Sequence, residues 1–171
     1  RANPALEGSR LATSSDADVL ASLKYYNVNL AMLQSEFKAL AAQPPLAMNA
    51  KLMQAARAHS SDMFAKQFQG HSSSNGATMS TRITNSGYAW KTIGENVYSY
   101  ADSVWHGHAG FQVDWGSGSG GMQSGRGHRA NIHSANFREV GIGVVNGTNG
   151  SVGPQLVTQD FGAGTASQAF V

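Results

Sequence analysis

The chain has 171 residues, of which only 13% are charged, and its 12 Lys and Arg against 10 Asp and Glu leave a net charge of +2. This length suffices for one compact domain with its own core. The sequence has no cysteine, which excludes disulfides, thiol nucleophiles and thiolate metal sites. No basic stripe with interleaved aromatic residues indicates a nucleic-acid partner, and no apolar run approaches the roughly 18 residues of an integral membrane segment.

The first half of the chain is predicted to be mainly helical. Residues 1–15 are small and polar, so we expect an irregular N-terminal lead-in. Across residues 16–40, apolar side chains recur at spacings of three and four, which predicts one helix capped by its first residue. A second helix is expected over residues 49–66, and the turn-forming residues 70–76 predict a loop.

The second half combines short helices with strands. Residues 77–86 favour a short helix, residues 90–97 a strand and residues 102–115 a further helix. Residues 116–127 contain six glycines and predict a long surface loop. Residues 139–161 hold two alternating segments separated by Asn-Gly pairs, which is typical of a β-hairpin.

This order of elements predicts an α+β fold, a three-layer α-β-α sandwich with a mostly antiparallel central sheet. We expect a single domain over residues 16–162, followed by a low-complexity tail or linker over residues 163–171.

Two of the six histidines, His71 and His128, lie in glycine-flanked irregular segments, where the imidazole is accessible. Glu95 lies in a neutral, apolar stretch, and an acid in such a place is usually paired or ligating because burying it alone is costly. These residues indicate a metal or acid–base site. His59 lies on the apolar face of a predicted helix and is expected to be structural.

Serine chemistry is not predicted. No serine has the flanking glycines of a nucleophile elbow. Ser72, Ser73 and Ser74 follow His71 directly, but sequence neighbours seldom have the geometry of a catalytic triad.

Several short motifs together resemble the bacterial SCP-like domains of the CAP superfamily, named after cysteine-rich secretory proteins, antigen 5 and pathogenesis-related proteins. They occur in the family's order, cover roughly residues 26–162, and include the helical segment 46–63, Gly70-His71-Ser72, Gly87-Tyr88, Gly94-Glu95-Asn96-Val97, Gly127-His128-Arg129-Ala130-Asn131-Ile132, Phe137-Arg138-Glu139-Val140-Gly141-Ile142-Gly143 and Thr158-Gln159-Asp160-Phe161-Gly162.

The resemblance implies a CAP/SCP-like sandwich, secretion to an extracellular or periplasmic place, and a cavity lined by two histidines and two acids. Matched motif by motif, His71 and His128 are the two histidines and Glu95 is one acid.

The second acid of the family usually follows a helical tryptophan by three residues. Here His108 stands three residues after Trp105, on the same helix face, so the sequence departs from the family pattern. Either His108 replaces this acid, or Asp114 or Glu139 supplies it.

If the resemblance holds, His71, Glu95, His108 and His128 are the expected metal ligands. Three imidazoles and one carboxylate suit zinc, copper or nickel better than calcium or magnesium, and we expect a divalent metal with zinc favoured. The function expected is binding of this metal and of an unidentified small-molecule, lipid or protein ligand. Two alternatives stay open: a metal-dependent, peptidase-like hydrolase with Glu95 as candidate catalytic base, and a lipid- or sterol-binding module.

Overall fold

The computed structural model describes residues 1–165 of the chain. These residues form seven α-helices and four β-strands in the order α1 (Pro4–Ala12), α2 (Ala17–Tyr25), α3 (Leu30–Ala39), β1 (Ala47–Met48), α4 (Ala50–Lys66), α5 (Met79–Asn85), β2 (Trp90–Ala101), α6 (Val104–Val113), α7 (Gly127–His133), β3 (Glu139–Asn146) and β4 (Gln155–Gly164). The chain divides into two compact units. The helical unit comprises Arg1–Pro45 with Val104–Ser134, and the sheet unit comprises Leu46–Ser103 with Ala135–Val171.

The helical unit is built from α1, α2, α3, α6 and α7. Helix α1 packs against α3, and α6 packs against α2 and α7. Burial of apolar side chains is the main stabilising contribution to such a unit. Its buried apolar core consists of Leu11, Val19, Leu23, Val28, Leu33, Phe37, Ala109, Val113, Trp115 and Met122.

The N-terminal segment is helical, so the expectation of an irregular lead-in is wrong for residues 4–12. The Asn3 side chain accepts a hydrogen bond from the Leu6 amide, and Pro4 occupies the first turn of α1. Both features are ordinary helix-start signals. Burial of Leu11 anchors the helix in the core, a tertiary contact that the small, polar composition of the segment does not reveal.

Residues 16–40 form two helices instead of the single predicted one. Asp16 caps α2 as expected, but the chain turns at Asn27, whose φ of 52° is left-handed, and Asn29 caps α3 by accepting from the Met32 amide. Asparagine tolerates left-handed backbone better than most residues. The apolar spacing continues across the break because both helices bury side chains in the same core, so periodicity alone cannot detect the turn.

The sheet unit contains a four-stranded sheet in the order β1-β3-β4-β2. Strand β1 is parallel to β3, and the other two pairings are antiparallel, which confirms the α+β class and the mostly antiparallel sheet. Strands β3 and β4 form the predicted hairpin. Strand β4 extends to Gly164, so the first two residues of the predicted tail belong to the sheet, and residues 166–171 of that tail lie outside the described residues.

Most of the remaining elements agree with the sequence. Asn49 caps α4 by accepting from the backbone amides of Lys51 and Leu52, and α5 lies within the predicted short helix. Two short 3-10 turns, Ser119–Gly121 and Ser124–Arg126, interrupt the glycine-rich loop. Helix α7 was not predicted, because its seven residues carry too few apolar side chains to set a period.

Helix α4 packs directly on β3 and β4, and two glycines of β3 make this packing close. A Cβ atom at Gly141 would lie 2.1 Å from the backbone of Leu52, and one at Gly143 would lie 2.3 Å from the backbone of Ala56. The alternation of glycine with larger residues in this strand therefore reflects contact between two backbones. Within residues 1–165, no helix has both the length and the apolar character needed to cross a bilayer.

Candidate functional site

His71 and Glu95, which the sequence singles out, form a hydrogen-bonded pair in the sheet unit. His71 follows α4 in the loop, and Glu95 lies in the middle of β2. His71 Nδ1 donates to Glu95 Oε1 at 2.9 Å. The Glu95 side chain is 1% exposed, whereas the His71 side chain is 62% exposed. A buried carboxylate thus orients an imidazole that faces solvent, and this hydrogen bond raises the pKa of His71.

Arg82 of α5 completes the surroundings of this pair. Its Nη2 donates to Glu95 Oε2, so both carboxylate oxygens of Glu95 have donors. Its Nη1 donates to the backbone oxygens of His71 at 2.8 Å and Ala77 at 3.1 Å, which ties the loop to α5. Burial by itself raises the pKa of Glu95, but the His71 hydrogen bond and the Arg82 charge outweigh it and keep this pKa below its usual value.

Asp160 of β4 stands directly opposite Glu95 in the antiparallel register. Its side chain is buried, and neither carboxylate oxygen has a hydrogen-bond donor among residues 1–165. Burial, with the neighbouring Glu95 charge, raises the pKa of Asp160 to about 9. The Asp160 carboxyl is therefore neutral at pH 7, so of these two carboxyl groups only Glu95 is charged.

Neither Arg82 nor Asp160 was predicted as a site residue from the sequence. Arg82 carries no signal, because a single basic residue on a short polar helix is ordinary. Asp160 does carry a sequence signal. It follows Leu156 and Thr158 at the two-residue spacing of one strand face, and an acid is unusual on a buried face.

His128 has an equivalent partner in the helical unit. Its Nδ1 donates to Asp114 Oδ1 at 2.7 Å, and its backbone amide donates to Asp114 Oδ2 at 2.9 Å. Asp114 is buried and adopts a left-handed φ of 56° just after α6, which aims its carboxylate at the first turn of α7. Of the two acids left open by the sequence, Asp114 is therefore the one that pairs with a predicted histidine.

The other two candidates have different partners. His108 Nε2 donates to Glu7 Oε1 at 2.7 Å, and its ring stacks on Trp105 with centroids 5.3 Å apart. Glu139 is buried in the sheet unit, where it accepts hydrogen bonds from the Tyr88 hydroxyl and from Asn49 Nδ2. Glu139 thus joins the N-cap of α4 to β3.

The four predicted ligands are divided between the two units. His71 and Glu95 belong to the sheet unit, and His108 and His128 belong to the helical unit. Across residues 1–165, no group of three or more His, Asp or Glu side chains has a geometry that could hold a metal ion. The ligand set stays a prediction.

Comparison with known proteins identifies a family for most of the chain. The sequence model of the cysteine-rich secretory protein family (CAP) matches residues 33–161. No curated protein matches the sequence. Two solved structures share the fold: an extracellular protein of Bacillus anthracis that contains an SCP domain (TM-score 0.55, 19% identity) and an outer surface protein of Borrelia burgdorferi (TM-score 0.55, 12% identity).

These two similarities extend over different shares of the similar proteins. Each covers 87% of the present chain. The present chain spans 44% of the Bacillus anthracis protein and 94% of the Borrelia burgdorferi protein. At these identities the similarity establishes the fold alone.

Proposed function

Because the chain belongs to the cysteine-rich secretory protein family (CAP), we propose that it is a metal-binding domain that acts outside the cytoplasm. The proposed ion is divalent, with zinc favoured, and its proposed imidazole ligand in the sheet unit is His71. In the helical unit, His128 has the same kind of carboxylate support. The proposed place of action is supported by the two proteins of similar fold, which are an extracellular protein and an outer surface protein.

The observation that carries the metal proposal is the hydrogen bond between His71 and Glu95. Because Nδ1 donates to the carboxylate, the lone pair of the neutral ring lies on Nε2, and the ring is largely exposed. Histidines that bind zinc commonly donate their other ring N–H to a carboxylate, which fixes the tautomer and makes the imidazole a stronger ligand. Asp114 offers the same support to His128.

The residues present fit zinc through imidazole nitrogen better than through carboxylate oxygen. Both oxygens of Glu95 already accept hydrogen bonds, and the Arg82 cation lies against one of them. In our proposal Glu95 therefore positions His71 and is not itself a ligand. A zinc ion held by imidazoles would supply Lewis acidity.

The hydrolase alternative with Glu95 as catalytic base receives less support. A general base works best when its pKa lies near the operating pH, whereas His71 and Arg82 hold the pKa of Glu95 below its usual value. No contact among the described residues favours the lipid-binding alternative, which stays a prediction.

Zinc titration of the metal-free protein by calorimetry tests the proposal. We expect His71→Ala to weaken zinc binding by more than about 100-fold, and Glu95→Gln by about 10- to 100-fold through the loss of its positioning role. His106→Ala serves as the matched control, because His106 is buried and its Nε2 is hydrogen-bonded to Ser22. Absence of zinc binding by the unmodified protein, or unchanged affinity in His71→Ala, would contradict the proposal.

A further inference from the structure

A serine hydroxyl and a buried histidine meet beneath a cleft of the sheet unit. The loop after α4 folds back so that Ser73 Oγ lies 3.5 Å from Nδ1 of His59, a residue of α4. On its other side, Ser73 Oγ lies 3.2 Å from Nη1 of Arg82. His59 is fully buried, whereas Ser73 is partly exposed.

The neighbouring groups determine where the protons lie. His59 Nε2 is 2.7 Å from the backbone oxygen of Gly70, and a carbonyl can only accept, so Nε2 carries the hydrogen. Burial lowers the pKa of His59, which keeps the ring neutral and leaves a lone pair on Nδ1.

The guanidinium of Arg82 decides the orientation of the hydroxyl. A guanidinium can only donate, so Ser73 Oγ accepts the hydrogen bond from Arg82. The hydroxyl proton of Ser73 is then directed to His59 Nδ1. A hydroxyl with a base on one side and a fixed cation on the other is an activated nucleophile. Its separation of 3.5 Å from the base is at the long end, as is common before substrate binds.

Ser73 and Arg82 both line an open cleft of about 420 Å³ between α4, the loop and α5. The Arg82 side chain is 9% exposed, and its Nη1 donates to Ser73 Oγ. The cleft therefore has the Arg82 cation beside the Ser73 hydroxyl, and such a charge favours a carbonyl oxygen that gains negative charge.

The remaining lining indicates the size and polarity of the substrate. Three alanine methyl groups offer a small apolar surface that fits a short acyl chain, and neutral amide and hydroxyl groups fit a polar alcohol. The remaining lining residues are Gln54, Ala55, Ala58, Asp62, Asn75, Ala77, Asn85 and Ser86. The Asp62 carboxylate accepts hydrogen bonds from the backbone amide and the hydroxyl of Ser74.

We propose that this cleft hydrolyses esters of short acyl groups with polar alcohols, with Ser73 as the nucleophile and His59 as the general base. Ser73 Oγ forms a bond to the ester carbonyl carbon while its proton moves to His59 Nδ1. The bond from that carbon to the alkoxy oxygen breaks, and the alcohol leaves with the proton from His59. Water then attacks the acyl-serine and gives one proton to His59, which returns it to Ser73 Oγ as the carboxylic acid departs.

This activity uses no metal, so it is independent of the zinc proposal. The test is covalent labelling with a fluorophosphonate probe in the presence of EDTA, read by intact mass and by the mass of the modified peptide. We expect one adduct per chain on Ser73. Ser73→Ala should lose the adduct, and the matched control Ser72→Ala should keep it. No adduct on the unmodified protein, or the same adduct on Ser73→Ala, would overturn the proposal.

A second variant tests the base. Hydrolysis of p-nitrophenyl acetate in EDTA should fall by about 100-fold or more in kcat/KM for Ser73→Ala and for His59→Gln, since a positioned general base contributes roughly 10²–10⁴-fold. Because His59 is buried, its variant is compared only after its melting temperature shows that it folds, and Ser73→Ala decides the matter if it does not. Rates equal to the unmodified protein in folded Ser73→Ala would refute the role of Ser73.

Discussion

Glu95 shows how a single residue can organise a buried polar cluster. Two donors on separate elements, His71 and Arg82, share its carboxylate, and Asp160 opposite it is neutral at pH 7. Breaking one member of a buried ion pair costs far more than the pair contributes, because the remaining charge stays buried without compensation. The stability of this region therefore depends on the complete set of partners.

We predict that Arg82→Met lowers the free energy of unfolding by about 3–5 kcal/mol, because Glu95 would keep a buried charge without its cation. The double variant Arg82→Met with Glu95→Gln should recover part of this loss. Urea denaturation of the four proteins of this cycle measures the coupling. Arg57→Met, at an exposed arginine of α4, is the control and should change stability by less than about 0.5 kcal/mol. Additive effects of the two substitutions would contradict the prediction.

His133 links the stability of the helical unit to pH. It is buried, with Nε2 hydrogen-bonded to Gln112, and burial together with the positive charges of Arg1 and Arg129 lowers its pKa to about 4. When the pH lies below the ordinary histidine pKa of 6.5, His133 binds a proton in the unfolded chain but stays neutral in the folded chain until the pH approaches 4. This contribution is therefore complete above pH 6.5 and is lost as the pH falls toward 4.

We expect the unmodified protein to lose about 2 kcal/mol more stability than His133→Gln between pH 7 and pH 5, at 1.36 kcal/mol for each pH unit below 6.5. Urea denaturation at the two pH values gives this difference, in which the other titrating groups cancel. Equal losses in the two proteins would show that His133 is not responsible.

Helix α4 and strand β3 pack with their backbones in direct contact. Glycine is required at positions 141 and 143 because the helix backbone lies where a Cβ would be. The helix carries His59 on the face that meets the loop, and the adjoining strand β4 carries Asp160. The spacing between helix and sheet therefore also decides the positions of polar groups.

We predict that Gly141→Ala destabilises the protein by about 3 kcal/mol or more, because the new methyl group would lie 2.1 Å from the Leu52 backbone. Gly70→Ala is the control, since its nearest neighbour, a ring carbon of Phe68, would lie at an ordinary 3.8 Å. Chemical denaturation of both variants measures the difference. A change in Gly141→Ala no larger than in Gly70→Ala would show that the helix yields without cost.

At the scale of the whole molecule, the sequence has few charged residues, yet several of them are buried inside the fold. Only 22 of 171 residues are Lys, Arg, Asp or Glu. Five of them are buried within the described residues: Glu95, Asp114, Arg129, Glu139 and Asp160. Such groups persist in an interior when their hydrogen bonds or protonation compensate for burial, so their partners are as important as the groups themselves.

The sequence by itself determined most elements, the α+β class and the family, and it singled out His71, Glu95 and His128 as candidates. Local signals suffice for these: apolar periods mark helices and strands, side chains such as Asn49 cap them, and short motifs keep their order along the chain. Where two helices bury the same face, as at Asn27, the period gives no sign of the break.

Only the tertiary structure decided the partners. Arg82 reaches Glu95 across 13 residues, Asp114 reaches His128 across 14, and Ser73 meets His59 across 14. No periodic sequence pattern links the two residues of any of these pairs. Asp160 lies opposite Glu95 because of strand register. Long-range pairings of this kind depend on how helices and strands pack. A side chain's chemical type is written in the sequence, whereas its pKa and its hydrogen bonds are set by what the fold places beside it.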